Sequence, residues 1–477
     1  MDGSLILSRA SKDIAAQAII HKFEIHTSDL SLISPDQYPD IDSIILDQLK
    51  FNVSVNSKFE ITAGMDGQGL MARSVNNDVL FDSDSVNAFL NLSDTGYQLD
   101  IKPFKLNYPD GLVGVHFFSD PAQKKSEIQF TGKDIHIDQA KKMSLTVFKN
   151  SRFVNDLFGI LKDGISPDIH VAFRADDLSL LFEAGNLELA GSVKNGVVRI
   201  PKTDLTVSEI KGRAEIHNGI LDIDAGYGSL ESSVIKQGQL TIDLLGFDHV
   251  PFNGIFVLDA DLSMVPKTLI PLLPETLLAK ELAKAHNIAG RANVRLDLSI
   301  PKDSGELDVK IDSDDFSIKG NYDRIPGPLS LERINFKYNS GVVHLSHVQG
   351  TLAGMTIDDL DCGLDLKVEP TISIRSGSAR ISLYSAFPFL MASKRIQDFL
   401  SPLKNAAGKI DVSSIRLSGP VLTPEKWVYD ITGKGSQLDL TTQPNQREIG
   451  NLSCEYHFSQ NHFSLEKFLQ KLKAFPG

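Results

Sequence analysis

Cysteine and basic residues are both scarce in this chain of 477 residues. Only two cysteines occur, Cys362 and Cys454, which excludes a disulfide-stapled scaffold and a cysteine-rich zinc module. Lysine and arginine number 48 against 61 aspartates and glutamates, giving a formal net charge of −13. A general nucleic-acid binder needs a basic face that releases counterions from phosphates. The composition therefore argues against nucleic acid as a partner.

Long apolar runs are also missing. Residues 1–10 lack the basic stretch and the following apolar stretch that together mark a secretory signal. No segment approaches the roughly 18 uninterrupted apolar residues of a transmembrane helix. The most apolar region, 265–278, is interrupted by Pro266, Pro271 and Pro274. A single tryptophan, Trp427, argues mildly against an aromatic platform for sugars.

The motifs of common enzyme classes are absent as well. The sequence contains no HExxH, GxSxG, GxxxxGK[ST] or dinucleotide-binding fingerprint. His344 and His347 are three residues apart, which on a strand places them on opposite faces and suits no shared metal ion. Residues 64–69 are glycine-rich without the lysine of a phosphate loop, and residues 312–315 lack the rest of a calcium loop. We therefore predict a non-enzymatic protein with no cofactor and no metal site.

The chain is instead rich in alternation with a period of two residues. In segment 291–300, every second residue is apolar and the intervening ones are polar. Because successive side chains of a strand point to opposite faces, this strand has one dry face and one wet face. The dry face of this strand carries Ala292, Val294, Leu296, Leu298 and Ile300. Two further strands follow the same rule, with dry faces formed by Leu307, Val309 and Ile311, and by Leu240, Ile242 and Leu244.

Strands with one wet face are typical of antiparallel sheets, since buried parallel strands read as continuous apolar runs. Shorter examples of alternation occur at residues 51–55 and 169–173. Hairpin turn signals separate the strands, at Asn195-Gly196, Asn218-Gly219, Ser340-Gly341 and Asp110-Gly111. The pattern predicts a mostly β protein made of antiparallel hairpins.

Helical spacing is confined to a few segments. Apolar residues recur at helical intervals in 152–162, 275–287 and 394–400, which predicts three short amphipathic helices that cap sheet edges. Segment 11–20 fits either a short helix or the start of a strand.

Parts of the sequence repeat. Residues 200–226 and 325–354 both read as Pro, strand, strand, Asn-Gly or Ser-Gly turn, strand, and a third, shorter copy begins near 449. The helical segments separate these copies. We therefore predict four units, at 1–150, 151–288, 289–405 and 406–477, of which the last is truncated. The chain then reads as a piece of a longer protein.

One stretch carries a family resemblance. Residues 191–201 read GSVKNGVVRIP, followed by Leu205-Thr206-Val207 and by the hairpin from Gly212 to Gly228. This style of hairpin resembles the C-terminal region of AsmA-like envelope proteins of Gram-negative bacteria, over most of 165–477 and loosely over 1–150. The resemblance implies an elongated, curved antiparallel sheet that forms a gutter-like repeating β-groove. It further implies a periplasmic location, an inner-membrane anchor that this chain lacks, and phospholipid transport between the inner and outer membranes or upkeep of outer-membrane lipid balance.

In such a groove the dry strand faces contact the acyl chains of phospholipids, the expected partner, and membrane proteins contact the two ends. The candidate groove-lining residues are Ala292, Val294, Leu296, Leu298, Ile300, Leu307, Val309, Ile311, Leu240, Ile242 and Leu244. Two alternatives stay open. The dry faces either line an open groove or pack together as a β-sandwich core, and the protein either carries lipid or guides outer-membrane proteins by contacts along strand edges.

Overall fold

The structure, a computed structural model, is dominated by antiparallel strands. It describes residues 2–10, 13–26, 41–147, 152–181, 183–245, 250–323, 327–352, 354–367, 369–392, 401–421, 423–443, 448–460 and 462–470. These ranges contain 25 strands and five α-helices. The expected class, mostly β and antiparallel with a few short helices, is confirmed.

Contacts between backbone positions divide the chain into two compact units. Unit 1 comprises Met1–Leu230, Ile235–Gly254 and Ser299–Leu307, and unit 2 comprises Glu231–Val234, Ile255–Leu298 and Asp308–Gly477. The four-unit division proposed from the repeats remains a prediction.

Unit 1 contains a ladder in which each strand pairs with the strands before and after it in the chain. Its strands are β1 (Asp2–Ala10), β2 (Asp13–His26), β3 (Ile41–Val55), β4 (Ile61–Ser74), β5 (Val79–Leu92), β6 (Tyr97–Leu106), β7 (Gly111–Asp120), β8 (Lys125–His136), β9 (Leu161–Ala175), β10 (Leu187–Arg199), β11 (Thr206–His217) and β12 (Ile220–Leu230). Helices α1 (Ile137–Val147) and α2 (Arg152–Ile160) are inserted between β8 and β9, which still pair directly.

The middle of the chain has strands on both sides of a second helical insertion. In order, these elements are β13 (Ser233–Asp243), β14 (Phe252–Asp261), α3 (Val265–Leu272), α4 (Leu277–Leu282), β15 (Ala285–Ile300) and β16 (Asp308–Tyr322).

Unit 2 continues from β16 as another antiparallel ladder, in which the short strands β18 and β19 both pair with β17 on one side and with β20 on the other. Its remaining elements are β17 (Pro328–Asn339), β18 (Val342–Ser346), β19 (Gln349–Leu352), β20 (Met355–Asp365), β21 (Thr371–Ser382), α5 (Leu383–Ala392), β22 (Leu403–Pro420), β23 (Val428–Thr442), β24 (Glu448–Ser459) and β25 (His462–Gln470). Helix α5 packs on this sheet through Leu383 and Phe387, which contact Ala406 and partly buried leucines of β22 and β23.

The period-two alternation is present in the folded strands. The residues of β15 from position 291 to 300 alternate as predicted. The apolar ones are buried, and Arg291, Asn293 and Arg295 are exposed. Strand β12 shows the same alternation over most of its length.

Two of the predicted hairpin turns are confirmed by their backbone angles. Asn218 and Gly219 have φ of 50° and 72° and join β11 to β12, and Ser340 and Gly341 have φ of 45° and 83° and join β17 to β18. Positive φ at both central positions is what such two-residue turns require. At Asp110-Gly111, Asp110 ends the connection between β6 and β7, and Gly111 is the first residue of β7.

The prediction of a turn at Asn195-Gly196 is wrong. Both residues lie inside β10, where Asn195 has φ of 51° and the pairing register shifts between Val193 and Gly196. An Asn in the left-handed region serves a β-bulge as well as a hairpin, so this dipeptide predicts positive φ without predicting a chain reversal.

The helices agree with the sequence in part. The helix predicted over 152–162 is present as α2, although the chain becomes extended at Leu161. The helix predicted over 275–287 is shortened to α4, because β15 already begins at Ala285. Segment 11–20 belongs to strand β2 over its described residues, and segment 394–400 lies outside the described residues. Helices α1, α3 and α5 were not predicted. No helix in the described ranges is long and apolar enough to cross a membrane.

Candidate functional site

The groove-lining residues predicted from the sequence are mostly enclosed by protein. Leu298 and Ile242 have no exposed surface, and Leu307 is the only one of the set that is half-buried rather than buried. The other buried members are Ala292, Val294, Leu296, Ile300, Val309, Ile311, Leu240 and Leu244. Neighbouring side chains therefore already cover these positions, and their assignment to a lipid groove stays a prediction.

A different surface, within unit 1, has an apolar space that its own side chains leave empty. This pocket has a volume of about 750 Å³ and lies between one face of β3–β10 and the helices α1 and α2. Among the described residues that line it, none has an ionisable side chain, and Thr131 and Ser144 are the only ones with a polar side chain. Binding sites for small molecules typically have volumes of roughly 300–1,000 Å³.

The floor of the pocket is a continuous apolar row across seven strands. Each member of the row is the direct cross-strand partner of the next. In spatial order the row consists of Met65, Ala88, Ile101, Val115, Phe130, Val171 and Leu189. Seven strands of a flat sheet would spread over about 29 Å, since neighbours lie about 4.8 Å apart. Because the side chains of all seven meet at one pocket, the sheet of unit 1 is concave here.

Two glycines keep this floor open. A Cβ atom on Gly67 would lie 2.8 Å from Leu46 Cδ2 and 2.9 Å from Val86 Cγ1. A Cβ atom on Gly132 would lie 2.6 Å from Ile169 Cγ2. Any larger residue at either position would have to displace a lining side chain.

The roof of the pocket is formed by the helices inserted between β8 and β9. Helix α1 contributes Ala140, Met143 and Ser144, which lie three and four residues apart and so share one helix face. Helix α2 contributes the aromatic residues Phe153 and Phe158, together with Val154 and Leu157, by the same spacing. The sheet and the helices thus enclose the pocket from opposite sides.

The opposite, wet face of the same sheet is held by an ion-pair network. Arg174 on β9 bridges two carboxylates, since its Nε lies 2.8 Å from Glu127 Oε1 and its Nη1 donates a hydrogen bond to Glu188. Burial of the Glu127 carboxylate raises its pKa, whereas hydrogen bonds from Gln129 and Arg174 lower it. With the charges of Arg174 and Lys125 added, the pKa of Glu127 lies below its ordinary value.

The network should make unit 1 sensitive to acid. A carboxylate whose pKa is lower in the folded chain stabilises the fold above the ordinary pKa of glutamate, and this contribution is lost as the pH falls through the folded pKa. Between about pH 5 and pH 3, we expect the urea midpoint of Glu127→Gln to fall less than the urea midpoint of the wild type. Gln129→Leu removes one hydrogen bond to the carboxylate, so its urea midpoint should fall by an amount between those of the wild type and Glu127→Gln. An identical acid response in wild type and Glu127→Gln would contradict this role.

The other groups considered from the sequence have ordinary structural surroundings. His344 lies 2.7 Å from an Arg375 nitrogen and 3.9 Å from Asp361, and His347, which is largely exposed, lies 3.9 Å from Asp359. Across the described ranges, no group of three or more potential metal ligands comes together. Both cysteines are free, and burial raises the pKa of the Cys362 thiol to about 11, which keeps it protonated.

Comparison of the chain with models of known protein families, with curated proteins and with solved structures finds no match.

The sequence pattern predicted some of the apolar faces that line this pocket. The alternation in 169–173 marks Ile169, Val171 and Phe173 as one dry face, and all three line the pocket. The helical spacing in 152–162 likewise includes Phe153 and Leu157. The sequence did not predict that α1 contributes to the pocket. Ala140 is small and Ser144 is polar, so the two residues do not form a clear apolar stripe on the helix. Most of the pocket also lies outside residues 165–477, where the family resemblance is strongest.

Proposed function

We propose that unit 1 binds the acyl chain of a lipid in the pocket beneath α1 and α2, and that the protein is a non-enzymatic lipid carrier. The observation that supports this is the unfilled apolar row across seven strands. A methylene group displaces roughly the volume of a water molecule, about 30 Å³, so a pocket of about 750 Å³ has room for about 25 methylene groups. Each methylene removed from water contributes about 0.8 kcal/mol, which favours occupancy by a hydrocarbon chain.

The chemistry of the lining fits a carrier that holds hydrocarbon without selecting a particular chain. Aliphatic and aromatic side chains make no directional hydrogen bonds, so different chain lengths and positions differ little in energy. The wider role, movement of phospholipid between the inner and outer membranes by a periplasmic protein, is proposed from the resemblance to AsmA-like proteins.

Photo-crosslinking tests the proposal with matched positions. Phe130 and Phe173 line the pocket, whereas Phe118 is also half-buried but lies on the opposite face of the sheet, where Lys125 Nζ is 5.6 Å from its ring centre. We expect benzoylphenylalanine at Phe130 or Phe173 to trap lipid in irradiated cells, and the same probe at Phe118 to trap none.

Mass analysis of the crosslinked products separates the alternatives. Lipid adducts at the two pocket positions support an acyl-binding role. Equal lipid labelling at Phe118 would overturn it, and adducts to protein alone at all three positions would favour the assembly-factor alternative.

A further inference from the structure

Three basic residues, none of which lines the pocket, lie on elements that supply lining residues. Lys162 is the second residue of β9 and directly follows α2, and Arg199 is the last residue of β10. The two lie on neighbouring strands, because Leu161 pairs with Val198. Lys141 lies on α1, between the lining residues Ala140 and Met143. Helix α1 packs against β9, so Lys141 lies on the element next to these two strand ends. We refer to Lys141, Lys162 and Arg199 as the basic cluster.

The position of Lys162 connects the cluster to the pocket wall. Its Nζ donates a hydrogen bond to the backbone oxygen of Phe158 at 3.3 Å, and the side chain of Phe158 lines the pocket. Arg199 is held from the other side, where its Nε donates to the Thr203 oxygen at 3.4 Å and its Nη2 lies 3.4 Å from Asp204 Oδ1.

The charges around Lys162 are unfavourable for a cation. Burial lowers the pKa of Lys162, and the positive charges of Lys141 and Arg199 lower it further. Like charges held close together beside an apolar space are stabilised by an anion that all of them contact.

We propose that Lys141, Lys162 and Arg199 bind the phosphate group of an anionic phospholipid whose acyl chain occupies the pocket. This assignment rests on the proposed acyl-binding function and adds to it the headgroup class and the orientation of the lipid. The apolar lining holds the chain, while the basic cluster holds the phosphate at the border where water has access. Net anionic headgroups are preferred to zwitterionic ones, because a headgroup ammonium would be repelled by the three cations.

The test uses the full chain and two fluorescent probes, pyrene-labelled phosphatidylglycerol and an uncharged pyrene-labelled alkane. We expect Lys141→Gln and Arg199→Gln each to weaken binding of the phosphatidylglycerol probe at least about fivefold, as the loss of a charge-assisted hydrogen bond implies. Neither variant should change binding of the alkane. Lys133→Gln serves as the control, since Lys133 is an exposed lysine on the wet face of β8 and should affect neither probe.

Lys162 is kept in these variants, because its replacement would also remove the hydrogen bond to the end of α2. It serves instead as a reporter. In NMR titrations of the reductively methylated protein, phosphatidylglycerol should raise the pKa of Lys162 and the alkane should not.

The outcomes distinguish the two proposals. If the variants bind phosphatidylglycerol as tightly as wild type while the alkane still binds, the headgroup assignment is wrong and the acyl pocket stands. If wild type binds neither probe, the proposed function itself is wrong. If inorganic phosphate or glycerol phosphate alone raises the pKa of Lys162 as strongly as the lipid does, the cluster is a site for free phosphate, which overturns the assignment to a lipid.

Discussion

Replacement of Ala88 by tryptophan is expected to weaken binding of an alkane or acyl chain about 100-fold. Ala88 lies in β5, in the middle of the apolar row, between Met65 and Ile101. The indole fills space equivalent to about four methylene groups, each worth about 0.8 kcal/mol, so about 3 kcal/mol of binding free energy is lost. Fluorescence titration with the pyrene-labelled alkane measures this change.

The matched control is Ala190→Trp. Ala190 lies in β10 opposite His170, on the wet face of the same sheet, and is half-buried as Ala88 is. The same substitution there adds the same bulk to a strand without entering the pocket, so alkane binding should be unchanged. Equal losses for the two variants would show that tryptophan disturbs the sheet rather than fills a binding site, as would an unfolded circular-dichroism spectrum of Ala88→Trp.

Replacement of Leu298 by alanine is expected to lower the free energy of unfolding by about 2–5 kcal/mol and to leave lipid binding intact. Leu298 lies in β15 with no exposed surface, so its removal creates a cavity among side chains that already contact it. Urea unfolding measures the first effect, and titration with either pyrene probe measures the second.

Arg295→Ala provides the comparison for this strand. Its side chain is half exposed and pairs with Asp297, an arrangement at a surface that contributes only about 0–1 kcal/mol. A small change for Arg295→Ala beside a large one for Leu298→Ala would identify the dry face of β15 as packed core. If Leu298→Ala instead reduced lipid binding and spared stability, the lipid-groove prediction for this face would be correct.

The strand architecture could be predicted from the sequence because alternation reports directly which face of a strand is dry. In β15 no residue interrupts the pattern from Ala292 to Ile300, and every apolar residue that the pattern placed on the dry face is buried. The bulge at Asn195 was mistaken for a turn, since the local sequence specifies positive φ but not whether the chain reverses its direction at that residue.

The pocket could not be predicted in the same way. Alternation shows that Val171 and Leu298 both face a dry side, yet Leu298 is fully covered and Val171 borders an empty space. That difference depends on the concavity of the sheet and on how far α1 and α2 fill it, which are properties of many residues together. The glycine at position 67 helps to keep the space open, but a glycine in a strand has the same sequence signature whether it makes room or forms a bulge.

The ladder of unit 1 has a consequence for how the protein folds. From β1 to β12, each strand pairs with the one just before it in the chain, so its contacts form between residues that are close in sequence. Folding can then proceed from the N-terminal side, hairpin by hairpin, while the chain is still being synthesised. Each stage leaves one unpaired strand edge, which attracts the next strand of the same chain but equally a strand of another molecule. Competition from other molecules during folding is therefore greatest at the leading edge of the growing sheet, and not where distant parts of the chain meet.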